Sequence, residues 1–454
     1  MLPGPGTASF PDTLLYSCSL DSVNMMSLVY FIRQQFQVKV GIPLLMDRTT
    51  SIRRLAQVIS DSQATSTSTK QVEALCGPVT APVDLTAEID RHYSRIAAGL
   101  QVQAAQAKPS YSVRETENEG EHNSDKLVTV FLTGGNGFLG TQILRQLIED
   151  SRVARVIALV RGKTDDEARR RTVDAAMKAL WWTGSHHSKL CVWAGDLGIP
   201  QLGLDPSRWT ALAGGAIVDV VIHCGATVHW GMSYKALEAV NVGSTMELLR
   251  LAIAAPHMAF VYVTGGREST GDQEREEDVV EELSTSDALG YSQTKFVAEA
   301  VVKRVALRSS WAPVRRISVV SPGCVIGTPM EGVANADDYI WRLVAASISI
   351  GMYNADEVDT WVPLTDAATT ARAIIRNALS QRSQPIVTQA ADGMPWSRFW
   401  AILEDMGYRL KSATGKEWTA AVRQAINSAK EEHPLWPLQH MMEGGIPAFA
   451  FTST

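Results

Sequence analysis

The chain has 454 residues, of which 45% are hydrophobic and 20% charged, so it is long enough for two or three ordinary globular domains. The net charge of −6 argues against bulk affinity for nucleic acid, and five scattered cysteines without a C-x-x-C pair argue against a zinc site or a disulfide framework. No signal-peptide pattern or long apolar run is present, so we expect a cytoplasmic protein without a membrane span or a bound metal.

The first helical pattern of the chain begins near Ser22, after residues 1–12, which we expect to be disordered. A serine at a helix start lies near free backbone N–H groups, which favour a phosphodiester. Asp21-Ser22 and the downstream run VKVGIPLLMDRTTSIRRLAQVI resemble the second half of a peptidyl carrier domain, over residues 13–60. The resemblance implies that Ser22 carries 4′-phosphopantetheine.

This carrier-like segment also departs from the carrier family. Too few residues precede Asp21 for the upstream amphipathic helix of a carrier, and Ser19 stands where a glycine is usual. The alternative is that Asp21 and Ser22 only cap a helix. Residues 61–125 read as a polar, Ser/Thr-rich linker with one helix over 84–105.

A glycine-rich turn follows the apolar run VTVFLT, which predicts a buried strand. Gly134, Gly137 and Gly140 have the spacing G-x-x-G-x-x-G, and the next residues have the apolar spacing of a helix. Glycines at such a turn let the backbone approach a pyrophosphate, which the amides of Phe138, Leu139 and Gly140 would bind at the helix start. The alternative is a tight turn without a ligand.

The second predicted strand ends at Arg161, roughly 20 residues after the last glycine, where an acidic residue favours NAD and an arginine favours NADP. Arg171 lies in the arginine cluster of the next helix. We therefore expect NADPH, with at least one arginine of the cluster on a solvated helix face.

Strands and helices alternate from residue 126 to residue 327, as in a parallel sheet with crossover helices. This predicts an α/β, Rossmann-type doubly wound sheet. Its six strands are predicted at 128–133, 155–160, 190–194, 218–223, 259–264 and 315–321.

Candidate ligand residues stand where these strands end, because ligands bind at the carboxyl edge of such a sheet. Asp196 and Leu197 follow the third strand, where a carboxylate can receive the adenine amino group or simply cap a turn. Gly225 and Ala226 follow the fourth strand and permit close backbone approach. Asn241, in the next helix, bridges to a catalytic lysine through water or is a satisfied buried amide.

The fifth strand ends at Thr264, and the pattern Y-x-x-x-K follows at Tyr291 and Lys295. Residues four apart project from one face of a helix. A nearby ammonium lowers the pKa of a tyrosine and suits it to proton transfer. Thr264 would hold the substrate oxygen beside the Tyr291 proton, and Lys295 would also reach the nicotinamide ribose.

Residues 328–454 leave the alternating pattern and predict a smaller, mostly helical substrate or lid subdomain. Several separated motifs follow one another along the chain in this order: VFLTGGNGFLG, LVRG, AGDL, VDVVIHCGATVHW, NVGSTMELLRLA, YSQTK and SPGCVIG. Over about residues 126–440 they resemble the C-terminal thioester reductase domain of nonribosomal peptide synthetases, which is shared with carboxylic acid reductases and fungal synthetase-like enzymes. These belong to the extended short-chain dehydrogenase/reductase superfamily.

The resemblance implies a role for each motif residue. Thr264, Tyr291 and Lys295 would be the catalytic trio, and Pro322-Gly323 would shape the nicotinamide end. The implied NADPH contacts include Gly134, Gly137, Gly140, Arg161 and Asp196.

The activity that this resemblance implies is NADPH-dependent release of a carrier-bound peptidyl or aminoacyl thioester as an aldehyde, or further as an alcohol, in secondary metabolism. The partners would be a carrier domain and the other modules of a synthetase. One alternative is an extended reductase or epimerase acting on a free small molecule. Others are a binding module without turnover and a domain that performs a Dieckmann-type cyclisation.

Overall fold

The fold is built around one seven-stranded parallel sheet. The computed structural model describes residues 10–15, 28–29, 31–33, 35–38, 40, 44–45, 50–64, 83–106, 127–215, 217–229, 232–255, 257–265, 275–285, 288–308, 316–380 and 385–436. The strand order is β3-β2-β1-β4-β5-β6-β11, with every pairing parallel. Chain order reverses between β1 and β4, which is the switch point where a doubly wound sheet opens a crevice for ligand.

The described elements fall into strands and helices with these bounds. The strands are β1 Val128–Thr133, β2 Val153–Arg161, β3 Leu190–Gly195, β4 Val220–His223, β5 Ala259–Val263, β6 Ile317–Ser321, β7 Cys324–Val325, β8 Met352–Asn354, β9 Trp361–Val362, β10 Leu364–Thr365, β11 Val387–Gln389, β12 Met394–Pro395 and β13 Lys411–Ala413. The helices are α1 Ile52–Ala64, α2 Leu85–Gln106, α3 Phe138–Glu149, α4 Asp165–Lys178, α5 Pro206–Ala213, α6 Tyr234–Glu238, α7 Ser244–Ala254, α8 Glu276–Leu283, α9 Gly290–Leu307, α10 Tyr339–Ile350, α11 Ala367–Leu379, α12 Trp396–Asp405 and α13 Gly415–Ala429. A π-helical turn, Ala239–Gly243, joins α6 to α7.

The central strands form because both of their faces are buried, which requires continuous apolar sequence. In β4 and β5 every residue is buried, and helices cover the sheet on both sides. The predicted fold class is confirmed, and all six predicted strands are present with shifts of at most a few residues at their ends.

The sheet has a seventh strand, and it lies beyond the predicted boundary at residue 327. β11 pairs in parallel with β6, and α11 packs against the glycine-turn helix α3. Ala371, Ile374 and Ala378 of α11 join the core on that face of the sheet. The assignment of 328–454 to a separate subdomain is therefore wrong for α11 and β11, because the chain returns to the sheet after an excursion.

Helix α2 belongs to the unit that is built on the main sheet, although residues 61–125 were expected to be a linker with one helix. Its residues Leu85, Ile89 and Ile96 are at most 1% exposed and lie in the same core as the central sheet. Arg91 ties the helix to α6 by an ion pair with Glu238 at 2.6 Å. The helix itself was predicted correctly, but its packing surface was not.

The excursion between β6 and β11 and the residues after it form a smaller, mostly helical part. Here α10, α12 and α13 pack around aromatic side chains, with Trp396 and Trp400 stacked at 5.5 Å between centroids. Three short strand pairs, β7–β10, β9–β12 and β8–β13, close the loops between these helices.

A small separate core lies in the N-terminal region. Leu15, Ile32, Leu45 and Leu55 are among its members, and α1 covers it. Ser22, the expected phosphopantetheine attachment residue, lies outside the described residues. None of the helices that the structure describes is long and apolar enough to cross a membrane.

Candidate active site

The glycine turn lies at the switch point, between the ends of β1 and β4. Gly134 has φ +75°, and a Cβ there would lie 2.7 Å from the Gly225 nitrogen. A Cβ on Gly140 would lie 1.9 Å from the Gly134 carbonyl oxygen, so both positions exclude any larger residue. Gly137 begins α3 without a side-chain cap, which leaves the first helix amides, at Phe138 and Leu139, available to an anion.

These observations fit a dinucleotide pyrophosphate. The turn keeps its backbone uncovered, and α3 presents the positive end of its dipole toward the crevice. Gly134, Gly137 and Gly140 lie together in this turn, and their contact with a cofactor stays a prediction.

The two arginines expected at the ribose phosphate lie side by side at the end of β2. Arg161 is exposed, and Arg171, on α4, donates from Nη1 to the Arg161 carbonyl oxygen at 2.7 Å. Arg169 points elsewhere, because its Nη2 donates to the Leu190 carbonyl. Of the arginine cluster on α4, it is thus Arg171 that contacts the backbone of Arg161.

Asp196 caps a turn, which is one of the two roles that the sequence suggested for it, beside an adenine contact. Its Oδ1 accepts a hydrogen bond from the Gly198 amide at 2.9 Å. Leu197 lies over the next strand end, since a Cβ on Gly225 would lie 2.8 Å from its Cδ1. The ends of β3 and β4 therefore meet beside the glycine turn.

Asn241 holds the loop after Gly225 and Ala226 in place. Its Oδ1 accepts from the Thr227 amide at 2.8 Å, and its Nδ2 donates to the Thr227 carbonyl and to Thr294 Oγ1, each at 3.1 Å. The side chain is the satisfied buried amide, and it ties the cofactor loop to α9.

Pro322 and Gly323 follow β6 at the same edge of the sheet. Gly323 has φ +67°, and a Cβ there would lie 2.5 Å from the Pro363 carbonyl oxygen. Only glycine fits this close approach. The turn leads into β7, which pairs with β10, so it joins the sheet edge to the smaller part of the molecule.

The Tyr291 hydroxyl lies at the end of β5, beside the residue that follows Thr264. Tyr291 is in the first turn of α9, and a Cβ on Gly265, the residue after Thr264, would lie 3.4 Å from the Tyr291 hydroxyl oxygen. No hydrogen bond to this hydroxyl is found within the described part of the chain. The phenol is thus held beside the strand end with its proton available to a ligand.

Lys295 is buried against β5 rather than directed at the phenol. Its Nζ donates to the Val263 carbonyl at 2.7 Å and lies 4.3 Å from the centroid of the Tyr262 ring. Burial lowers the pKa of Lys295 from 10.5 to about 8, although Cys224 and Glu299 oppose this shift.

The expected lowering of the Tyr291 pKa is wrong for this arrangement. Burial, with a smaller contribution from Cys224, raises the pKa of the phenol above its ordinary value. The Lys295 ammonium, which was expected beside the phenol, instead bonds the Val263 carbonyl and lies over the Tyr262 ring. Tyr291 is therefore a neutral acid across the physiological pH range, which suits proton donation during a reduction.

The sequence analysis missed His223, which links three elements under the site. Its Nδ1 pairs with Thr133 Oγ1 at 2.7 Å and its Nε2 with Thr245 Oγ1 at 3.0 Å. Thr245 donates its proton to the Asn241 carbonyl, so it accepts from Nε2–H, and Thr133 donates to Nδ1. Burial, then Lys295, lowers the pKa of His223 to about 3, so the ring is neutral. The signal in the sequence that could have identified His223 was its position at the end of the fourth predicted strand.

Glu299 was also missed, although it is one turn after Lys295 on α9. It is 1% exposed and accepts a hydrogen bond from Thr264 at 2.7 Å. The spacing of four residues from Lys295 was the signal in the sequence.

A cluster with metal-ligand spacing occurs on α2 and α6, away from this edge. The ligand atoms of Glu88, His92 and Glu238 lie within 4.8 Å of one another. Arg91 pairs with both carboxylates, and burial, then Arg91, lowers the pKa of His92 to about 4. The cluster is an ion-pair network that already contains its cation.

Known proteins share this fold and motif order. The family model described as "Male sterility protein" (NAD_binding_4) matches residues 132–374, more than half of the chain. Peramine synthetase ppzA of Metarhizium rileyi is 48% identical over 79% of this chain, and D-lysergyl-peptide-synthetase subunit 3 of Claviceps purpurea is 42% identical over 79%. The structure of the PhqB reductase domain from Penicillium fellutanum is 31% identical, with a TM-score of 0.62, and the match covers 78% of this chain and 86% of that one.

The chain belongs to this family, as a reductase domain of the nonribosomal peptide synthetase type. The resemblance inferred from its motifs is thereby confirmed, and the reductase domain is an oxidoreductase with a fold that binds a nicotinamide cofactor. It spans 12% of the length of the peramine synthetase and 20% of the length of the lysergyl-peptide-synthetase subunit.

Proposed function

We propose that this reductase domain releases a carrier-bound peptidyl or aminoacyl thioester as an aldehyde, with NADPH as the reductant. The observation that carries the proposal is the position of the Tyr291 hydroxyl at the end of β5, beside the residue that follows Thr264, with Lys295 one turn further along α9. This edge of the sheet also carries the glycine turn. One relative that matches the chain is named as a subunit of a D-lysergyl-peptide-synthetase, which supports a peptidyl substrate.

The residues that would hold NADPH are those at the crevice. The amides at the start of α3 would bind the pyrophosphate, and Arg161 and Arg171 would bind the ribose phosphate. When bound, NADPH supplies the hydride for the thioester carbonyl carbon. Between the pyrophosphate end and the nicotinamide end of the cofactor, the backbone stays open at Gly225, Ala226 and the Pro322-Gly323 turn.

Tyr291 supplies the proton in this scheme. As negative charge develops on the carbonyl oxygen, the neutral phenol donates its proton to it, and Thr264 contacts the hydroxyl that results. The product is a hemithioacetal, and its carbon–sulfur bond then breaks. The hydroxyl proton returns to the Tyr291 phenolate, the sulfur leaves as the pantetheine thiolate, which takes a proton from solvent, and the aldehyde is released. A second hydride and proton would give the alcohol at the same residues.

The carrier that delivers the thioester is part of the proposal. Phosphopantetheine on Ser22, or on the carrier of another module of a parent synthetase, would bring the acyl group to the crevice. The small core around Ile32 and Leu55 supports a folded carrier remnant in this chain.

The test is thioester-dependent NADPH oxidation, measured with an acyl-pantetheine thioester and with product identification by mass spectrometry. Tyr291→Phe keeps the ring and removes the proton, so we expect a loss on the order of 100-fold or more. Tyr408→Phe, on an exposed tyrosine, serves as the matched control and should retain wild-type activity. Unchanged activity in Tyr291→Phe would exclude the assigned acid, and no oxidation by the wild type would point to a free small-molecule substrate or to a binding module.

A further inference from the structure

Two consecutive turns of α9 hold two consecutive residues at the end of β5. Lys295 donates from Nζ to the Val263 carbonyl at 2.7 Å. Glu299 accepts from the Thr264 hydroxyl through Oε2, also at 2.7 Å. The last residue of β5 and the catalytic threonine are thus each fixed by one side chain of the helix that carries Tyr291.

The bond to Glu299 determines the direction of the Thr264 proton. A hydroxyl has a single proton, whereas an ionised carboxylate can only accept. Lys303 Nζ lies 3.7 Å from Glu299 Oε1, so the carboxylate is also part of an ion pair. Thr264 therefore donates inward, and the lone pairs of its oxygen remain for a hydrogen-bond donor on the substrate side.

Glu299 also contributes a negative charge beside Lys295. The charged and titratable groups that face Lys295 are His223 and Cys224 at the end of β4, Tyr262 of β5, and Glu299 of its own helix. His223 is neutral, and burial raises the pKa of the Cys224 thiol to about 11, so neither bears a charge near neutral pH. Glu299 is thus the negatively charged member of this set, and it favours the ammonium form of Lys295.

We propose that Glu299 is a positioning residue of the reductase site, which turns Thr264 into an acceptor for the hydroxyl of the hemithioacetal and supplies the carboxylate charge that faces Lys295. The inference rests on the proposed function, since it refines how Thr264 serves the reduction. Thr264 then orients the hydroxyl whose proton leaves as the carbon–sulfur bond breaks, and the proton for the first step comes from Tyr291 alone.

Two substitutions separate the two contributions of Glu299. Glu299→Gln keeps the length and an accepting oxygen but removes the charge, so the alkaline limb of kcat/KM should move about one pH unit lower with the plateau changed little. Glu299→Asp keeps the charge but withdraws the carboxylate from Thr264, so the plateau of kcat should fall about tenfold or more while the limb stays in place. KM for the thioester should change less than kcat in both variants.

A double-mutant cycle with Thr264→Val tests whether Glu299 acts through Thr264. If it does, adding Glu299→Asp to Thr264→Val costs little further activity, because the hydrogen bond is already absent. Independent, additive losses would overturn the positioning role. If the alkaline limb of the kcat/KM profile does not move in Glu299→Gln, the electrostatic role of Glu299 is overturned.

Glu247→Gln, a half-buried carboxylate on α7, is the control for removing a helix carboxylate elsewhere, and it should leave the pH profile unchanged. NADPH binding, followed by fluorescence, identifies variants that have lost the fold. If Glu299→Gln is one of them, Glu299→Asp and the cycle still decide the positioning role. Failure of the proposed function is distinguishable, because the wild type itself would then show no thioester-dependent oxidation.

Discussion

The Lys295 ammonium donates a hydrogen bond of 2.7 Å to the Val263 carbonyl at the end of β5. In the described part of the chain, Lys295 is the only buried lysine beside the helix turn that carries Tyr291. The bond fixes its ammonium group and joins α9 to the end of β5, where Thr264 follows. The geometry at the site therefore depends on one lysine.

The pH dependence of reduction should report this lysine. Burial lowers the pKa of Lys295 to about 8, so the ammonium is lost as the pH rises through that value. We expect kcat/KM to be level below about pH 7.5 and to fall tenfold per unit well above pH 8. His223, with a pKa of about 3, and Cys224, with a pKa of about 11, do not titrate in this window. Steady-state rates from pH 6 to pH 9.5 measure this alkaline fall in kcat/KM.

Lys235→Gln is the control for this profile, because Lys235 is an exposed lysine on α6. Its pH profile should match that of the wild type. A wild-type profile that stays level to pH 9.5 would show that the charge of Lys295 does not limit the reaction.

Gly140→Ala should damage the cofactor turn, because the new Cβ would lie 1.9 Å from the Gly134 carbonyl oxygen. Relief of this overlap requires α3 to move away from the turn, at a cost of about 1–3 kcal/mol in the free energy of unfolding. NADPH affinity should fall at least about tenfold, because the helix amides lose their alignment. Urea unfolding and fluorescence titration measure the two effects.

Gly243→Ala is the matched control, since this helical glycine has only an ordinary contact of 3.7 Å at its Cβ position. It should bind NADPH as the wild type does. Equal NADPH affinity in Gly140→Ala would mean that the turn does not need its close contact.

Local sequence accounts for the parts of the fold and site that were predicted. The glycine spacing, the hydroxyl at the end of β5 and the Y-x-x-x-K pattern each lie within one turn or one strand end, and the structure brings Tyr291 to the end of β5 beside Thr264. The strands were found because their apolar runs are continuous.

Contacts between distant segments account for what was not predicted. β11 is a three-residue strand whose partner β6 lies far back in the chain, so its apolar content alone gives no signal. The bond from Thr264 to Glu299 joins residues 35 apart, and the orientation of Lys295 depends on a backbone carbonyl. A helical pattern likewise predicted α2 but could not show what α2 packs against.

Helix α2 should be required for the stability of the reductase unit. Ile89 is fully buried in the main core, so Ile89→Ala should lower the free energy of unfolding by about 2–5 kcal/mol. A fragment that begins at residue 126 should unfold at a lower temperature than one that begins at residue 83. Both are measured by urea and thermal unfolding.

Ser94→Ala, on the exposed face of the same helix, is the control and should change the free energy of unfolding by less than about 0.5 kcal/mol. If the two fragments were equally stable, α2 would be a linker helix after all.

Coenzyme choice should depend on the two arginines at the end of β2. Arg171 donates to the backbone carbonyl of Arg161, which keeps the Arg171 guanidinium at the end of β2. Removing either guanidinium should raise KM for NADPH about tenfold or more and leave KM for NADH nearly unchanged, because only NADPH carries the 2′-phosphate. The measurement is the ratio of kcat/KM for the two coenzymes in Arg161→Ala and Arg171→Ala. Arg170→Ala, on an exposed residue of the same helix, removes an equal charge and should leave the ratio unchanged. A loss that is equal for NADPH and NADH would place the arginines away from the phosphate.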